Sequence, residues 1–448
     1  MLSLGIVPAL QQFVPEIMAK GAGNSLPRIL RRFNLIRLTL TVLFGGLLAW
    51  SWTTSYAWFG FPADYARASL FGLLAAGLAL LSEYTIYVLE AMLLQRIAQP
   101  LRALLPVGRL LGLSVLWAAE AVDFETMMAL EIALHSLTWL AATVMLRRQL
   151  GVVSGDAPCP VSDSQLTSFV LDMSWAQLLA MGANAGLIRV AAGHVLGLEA
   201  SAIFSFMQQL TIQATRLLPS TQFANLIRPM LVAKFQAGQH EIVAAAFGLL
   251  LKVNAIVTVP MLLIGLLGGD RLLTLLVGRS AEAGGLGLAL VALVPAMTAV
   301  ENIGSTALQV ARQSVVVRRL GWLSLFVGPA VYLGARFGPA GAMGGLLASV
   351  SLVASATLMS ARRWGRCIHA DVRGLARILL AGLFAGLTAL ASGLVLPWEA
   401  LAGVGCIAFL GWLLLLGSWL SETEARAIRE FSGKHLPMLD RWTKKNAA

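Results

Sequence analysis

Charge is what this sequence of 448 residues has least of. Only 12% of its residues are Asp, Glu, Lys or Arg, against about 25% in a globular domain. The hydrophobic share is 58%, and the mean hydropathy is +0.78. A water-soluble globule cannot cover that much apolar side chain, so the soluble classes are excluded. Cysteine is scarce too: Cys159, Cys367 and Cys406 are odd in number and far apart, which excludes a disulfide framework and a paired-cysteine metal site. The five histidines, His135, His194, His240, His369 and His435, form no ligand cluster at helical spacing. No glycine-rich phosphate loop occurs, so no ATP motor and no cofactor are expected. Residues 1–14 lack the basic leader of a secretory signal.

What fills the chain instead is a succession of apolar runs, each close to the length of about 20 residues that crosses a bilayer as a helix. The runs predict spans at 36–52, 69–91, 104–118, 127–146, 169–188, 199–215, 242–266, 283–305, 320–335, 341–360, 378–394 and 400–418. The fold class is therefore an all-α polytopic membrane protein with about 12 transmembrane helices. Stretches such as LFGLLAAGLALL do not alternate apolar with polar, which excludes barrel strands. Pro106, Pro260, Pro295 and Pro329 fall within spans, as kinks that serve either motion or packing.

Basic residues set the orientation. Loops on the side of the carboxyl end hold 25 Lys and Arg, and those opposite hold five: Arg67, Arg189, Arg271, Arg279 and Arg336. This alternation predicts a cytoplasmic carboxyl end. It also explains the net charge of +11 without a nucleic-acid partner, because the basic residues are scattered over short loops rather than gathered on one face. The lipid bilayer is the partner they imply. Trp50, Trp52, Trp58, Trp117, Trp139, Trp322, Trp398 and Trp419 lie near span ends, as an interfacial belt requires.

A polar motif, Pro-x-x-x-Ala-Lys, occurs at Pro15–Lys20 and again at Pro229–Lys234, offset by 214 residues. The second copy follows a hairpin of spans. The first follows only 14 residues, so a matching hairpin would begin about 45 residues before Met1. Either the chain is shortened or it lacks that hairpin by nature. The stretch LGVVSGDAPCPVSDSQ at 150–165 reads as a linker. The expected organisation is an amino-terminal bundle at 1–149, a cytoplasmic linker at 150–168, a pseudo-symmetric carboxyl-terminal bundle at 169–377, an additional hairpin at 378–418 and a cytoplasmic tail at 419–448. Two bundles with corresponding loops are an internal-repeat transporter plan.

The strings QQFVPEIMAKGAGNSLPRILRRF, IRVAAGHVLGLEASAIFSFMQQL, LLPSTQFANLIRPMLVAKF and LLTLLVG together resemble the Wzx-type polysaccharide flippases of the MATE-like exporter superfamily. Leu187 and Ile188 depart from the pattern, standing where many relatives have an aspartate. The resemblance implies a non-enzymatic carrier in the bacterial inner membrane. Its cargo would be a lipid-linked oligosaccharide on a polyprenyl diphosphate, its partners the polysaccharide polymerase and chain-length machinery, and its mode alternating access through a cationic cavity.

A diphosphate cannot cross hydrocarbon without cationic partners, and that requirement picks out side chains. Lys252, about 10 residues into its span, is expected near mid-membrane, either holding the head group or paired structurally. Arg109 lies a turn and a half into its span, and Arg37 at a span mouth, where topological anchoring competes with cargo binding. Arg189 at an outer end matches the basic position of the family pattern, and Arg216 lies at an inner end. Trp175, near Asp172, is a candidate for stacking on sugar.

Acids within spans raise a rival reading. Glu83 and Glu90, seven apart on one helix face, with Asp172, Glu131 and Glu301, are candidates for ion coupling or for pairing with the bases. A cation-coupled drug exporter of the same superfamily would use such acids. A membrane-embedded glycan polymerase or ligase is a third reading, disfavoured because the longest outer loops, 53–68 and 267–282, gather no catalytic constellation.

Overall fold

A computed structural model describes residues 5–55, 63–151, 153, 155–222, 224–277, 284–365, 371–393, 398–416 and 419–432. The described residues are nearly all helical and contain no strand. In order the helices are α1 (Ile6–Ala19), α2 (Leu26–Ser55), α3 (Ala63–Ala91), α4 (Gln95–Ala118), α5 (Phe124–Leu150), α6 (Asp163–Ala180), α7 (Ala185–Leu217), α8 (Pro219–Gln222), α9 (Ala224–Gln236), α10 (His240–Val277), α11 (Gly284–Val310), α12 (Ser314–Gly321), α13 (Val327–Ala335), α14 (Gly338–Ser360), α15 (Val372–Ser392), α16 (Trp398–Leu415) and α17 (Glu422–Ser432).

Among the described residues, ten helical runs are long and apolar enough to cross a membrane, and Ala400–Leu415 is a shorter apolar helix. One of the ten, Asp163–Leu217, is 55 residues long and contains two of the spans expected from the sequence. This is a multi-pass membrane protein. Residues 433–448 of the expected tail, with Trp58 and Arg279, lie outside the described residues.

The long run breaks where the backbone demands it. Gly197 adopts φ 74° and ψ 177° inside α7, a conformation that an L side chain resists. The loop expected at 189–198 is therefore helical on both sides of a single reversed glycine. A shorter interruption, a 3-10 turn at Met181–Ala183, separates α6 from α7, and Asn184 caps α7 by accepting from the Gly186 amide at 2.8 Å.

The described residues form two compact units, one of Met1–Ser174 with Asn225–Gln236, the other of Trp175–Ala224 with Ala237–Ala448. In the first unit α1 is buried along most of its length, with Phe13 packed edge-on to Phe169 at 5.2 Å. The Gly-, Pro- and Ser-rich stretch at 150–165 docks on the turn between α1 and α2. The Asn24 amide donates to the Gly155 carbonyl at 3.2 Å, and Arg32 pairs with Asp163 at 3.3 Å. That stretch is packed into the first unit, and the change of unit falls within α6.

The second unit is built on close approach of small residues. A Cβ added at Gly345 would lie 2.3 Å from the Ala330 carbonyl oxygen, and one at Gly334 would lie 2.2 Å from that of Gly341. These contacts let α13 and α14 meet backbone to backbone, the usual way membrane helices gain dispersion energy. On α15 the buried positions are Gly374, Ile378, Ala381, Gly382, Ala385 and Ala389, and the exposed ones include Leu379, Leu383, Leu387 and Leu390. Small residues inward with leucine outward is the pattern of a helix whose outer face meets lipid.

The repeated motif corresponds to a repeated local structure. In each copy the proline lies inside a short helix, Pro15 in α1 and Pro229 in α9. Each short helix leads to a glycine in the left-handed region, Gly21 at φ 69° and Gly238 at φ 79°, and then to a long helix, α2 or α10.

Candidate functional site

The sequence leaves Lys252 either holding a head group or paired structurally, and in the structure it is paired. Its Nζ donates to Asp371 Oδ2 at 2.6 Å, to the Trp419 carbonyl at 2.7 Å and to Glu424 Oε2 at 2.5 Å. An ammonium has three donors, and all three are used. The side chain is 1% exposed and Glu424 is 2% exposed. Asp371 caps the start of α15, accepting from the Gly374 amide at 3.1 Å, and Glu424 lies in the first turn of α17. Lys252 thus sits level with the first residues of α15. Burial pushes the Asp371 carboxyl up, but the bonds from Lys252 and from the Gly374 and Arg373 amides outweigh burial and hold it below its ordinary value. The sequence did not flag Asp371 or Glu424, because both lie more than a hundred residues from the lysine they hold.

Arg109 is also paired. Its Nε and Nη2 meet Glu131 Oε1 and Oε2 at 2.6 and 2.8 Å, a two-bond fork in which the charges cancel. His135, one turn further along α5, places Nε2 3.4 Å from Glu131 Oε2 and Nδ1 3.2 Å from Ser82 Oγ. The Glu131–His135 spacing of four residues was the sequence signal for this cluster.

Arg37 is held differently. It is 1% exposed within the first unit, donates through Nη2 to the Leu80 carbonyl, and lies over the Tyr84 ring at 5.0 Å. Its Nε and Nη1, both buried, have no hydrogen-bond partner. The side chain expected at a span mouth is thus buried among helices of the first unit. Arg189, in the second unit, donates to two neutral amides, Gln208 Oε1 at 2.7 Å and Gln209 Oε1 at 3.1 Å, across the Gly197 break. Among the described residues no carboxylate hydrogen-bonds to Arg37 or Arg189, although the Glu83 carboxylate of α3 acts on Arg37 through space. Arg216 is exposed at the end of α7, and Trp175 is 54% exposed on α6.

The acids separate as well. Glu90 is fully buried and pairs with Arg102 at 2.9 Å, whereas Glu83, seven residues earlier on α3, is exposed. Asp172 is 3% exposed and has interactions of its own. Glu301 is half-buried in α11, and no hydrogen bond to it is found among the described residues. A cation absent from the sequence reading is Arg228 of α9. Its Nη1 donates to Gln11 Oε1 of α1 at 2.8 Å, while Nε and Nη2 are buried without partners. Burial pulls its pKa down to about 10. No group of three or more His, Cys, Asp or Glu among the described residues is arranged to hold a metal.

No protein-family model matches the sequence, and no curated protein matches it. Solved structures do match. A MATE protein in its bent conformation aligns with a TM-score of 0.66 at 12% identity, over 81% of this chain and 83% of that one. The fold is that of the MATE transporters. A Vibrio cholerae MATE transporter in its bent form aligns at 0.64 and 15% identity, over 82% of this chain and 85% of that one. An outward-facing multidrug resistance MATE transporter of the MOP superfamily aligns at 0.63 and 12%, over 81% and 83%. At such identities the MATE likeness is one of fold.

Proposed function

We propose that this chain is a membrane transporter that carries an anionic, polyprenyl-diphosphate-linked oligosaccharide across the bacterial inner membrane, with its carboxyl end on the cytoplasmic side. The observation that carries the reading is the state of Arg37 and Arg189. Each lies in a transmembrane helix, one in each unit, and each is held by neutral groups. A charge kept in a membrane helix without a hydrogen-bonded counter-ion is costly. It is explained if an anionic cargo supplies the counter-charge. The MATE fold supports transport, and the sequence resemblance to polysaccharide flippases supports this class of cargo.

A second reading is favoured by Glu301, the half-buried carboxylate of α11. A cation-coupled exporter of cationic drugs would use such a group, and one of the matched MATE structures is described as a multidrug resistance transporter. Complementation separates the two. In a bacterium lacking its own flippase, the flippase reading expects surface polysaccharide to return and to be lost again with Arg37→Gln or Arg189→Gln. In a drug-sensitive host, the exporter reading expects resistance that disappears with Glu301→Gln.

A further inference from the structure

The polar contacts at Arg109 extend beyond its ion pair with Glu131. α5 packs against α3 and α4, and the three helices bring four polar side chains into one chain of contacts: Ser82 Oγ, the two ring nitrogens of His135, the Glu131 carboxylate and the Arg109 guanidinium. Ser82 is fully buried and His135 is 5% exposed, while the Glu131 and Arg109 side chains are 24% and 45% exposed. A buried imidazole is thus linked to an accessible ion pair, all within helices that cross the membrane.

We propose that Ser82, His135, Glu131 and Arg109 form a proton-binding relay, with His135 as the group that takes up and gives back the proton. Both states of the ring are satisfied where it stands. As imidazolium it donates from Nδ1 to Ser82 Oγ and from Nε2 to Glu131, while the Ser82 hydroxyl donates to the Ala79 carbonyl at 2.9 Å. As neutral imidazole it keeps the proton on Nε2, and the Ser82 hydroxyl turns from Ala79 to Nδ1. The proton is gained or lost by rotation of one hydroxyl, with no helix displaced. The charged groups that act on the ring are Glu131 on its own helix, Arg109 on α4 and Glu83 on α3.

The relay has a consequence for Arg109. Glu131 Oε2 is shared between His135 Nε2 at 3.4 Å and Arg109 Nη2 at 2.8 Å. Protonating His135 sets two cations on one oxygen and weakens its hold on the arginine. Arg109 then becomes available to an anion, so proton binding and cargo binding reinforce each other. That link rests on the function proposed above, but the proton site itself does not.

The test is histidine 15N NMR on the full chain in lipid nanodiscs, with the His135 signals identified by their loss in His135→Gln. His135 is expected to take up a proton within the pH range over which the protein stays folded. Glu131→Gln is expected to lower its midpoint by about 1 pH unit or more, because an adjacent carboxylate favours the imidazolium. Glu131→Asp, which keeps the charge, is expected to stay near the parent midpoint and so separates loss of charge from misfolding. A His135 signal that never titrates in that range, or whose midpoint is unchanged in Glu131→Gln, overturns the relay. A second arm follows a polyprenyl diphosphate bearing one sugar across proteoliposomes at several pH values. PH dependence that persists in His135→Gln overturns the link to Arg109. If the parent protein moves no such lipid while the NMR titration holds, the cargo reading fails and the proton site stands.

Discussion

Replacing Lys252 with alanine separates the two roles this residue can have. Its ammonium is the common partner of Asp371 and Glu424, and truncation leaves a 2%-exposed carboxylate without its cation. Glu424 Oε2 retains only the Ser421 amide at 2.8 Å. Breaking a buried pair from one side costs about 3–5 kcal/mol, roughly a factor of a hundred or more in the folded fraction. Thermal unfolding in detergent is therefore expected to show a large loss for Lys252→Ala. A smaller loss is expected for the double variant Lys252→Met with Glu424→Gln, which removes the charge on both sides of that contact. Asp371 gives the pH dependence of the same contact. Its folded pKa is depressed, so its contribution is full above the ordinary carboxylate value of about 3.9 and is lost only as pH falls through the lower folded value. The Lys252–Asp371 contact should thus be insensitive to pH from about 5 to about 8. The reasoning is refuted if Lys252→Ala melts like the parent while transport is abolished, because the lysine would then be serving the cargo.

Other outcomes follow from the same structure. Gly345→Val forces a side chain onto the Ala330 carbonyl 2.3 Å from the new Cβ; overpacking costs about 1–3 kcal/mol, and recovery of folded protein from membranes should drop. Gly197→Ala meets no atom within 4 Å but must hold φ 74°, at a cost of about 1–2 kcal/mol. That substitution should lower the melting temperature, whereas Gly403→Ala, which also meets no atom within 4 Å and lies inside α16, should be tolerated. Arg228→Met removes a cation with two buried, unpartnered donors and is expected to leave the melting temperature equal or raise it, since apolar replacement of buried charge is often neutral or stabilising.

The membrane class, the helical fold and the positions of the spans were legible from run length and hydropathy, because a bilayer imposes them locally. Two helices on either side of Gly197 merge into one run, which no local pattern announces. The site was less legible. A lysine in an apolar run looks the same whether its partners are cargo or carboxylates brought in from α15 and α17, and those partners are set by tertiary packing. Glu83 and Glu90 share a helix face by spacing, yet one is exposed and the other buried, because the neighbours that cover Glu90 do not reach Glu83. The Glu131–His135 pair was within reach, because a spacing of four residues places both on one face of α5. Arg37 stood out as a charge in a span, but its burial over Tyr84 depends on α3.

The most direct measurement of the central claim is flippase complementation with Arg37→Gln and Arg189→Gln, at membrane levels matched to the parent chain. The expected result is surface polysaccharide with the parent chain and accumulation of the lipid-linked intermediate with either variant. Restoration by both variants to the level of the parent, or drug resistance without any polysaccharide, would contradict the claim that these two arginines, neither hydrogen-bonded to a carboxylate, receive an anionic cargo.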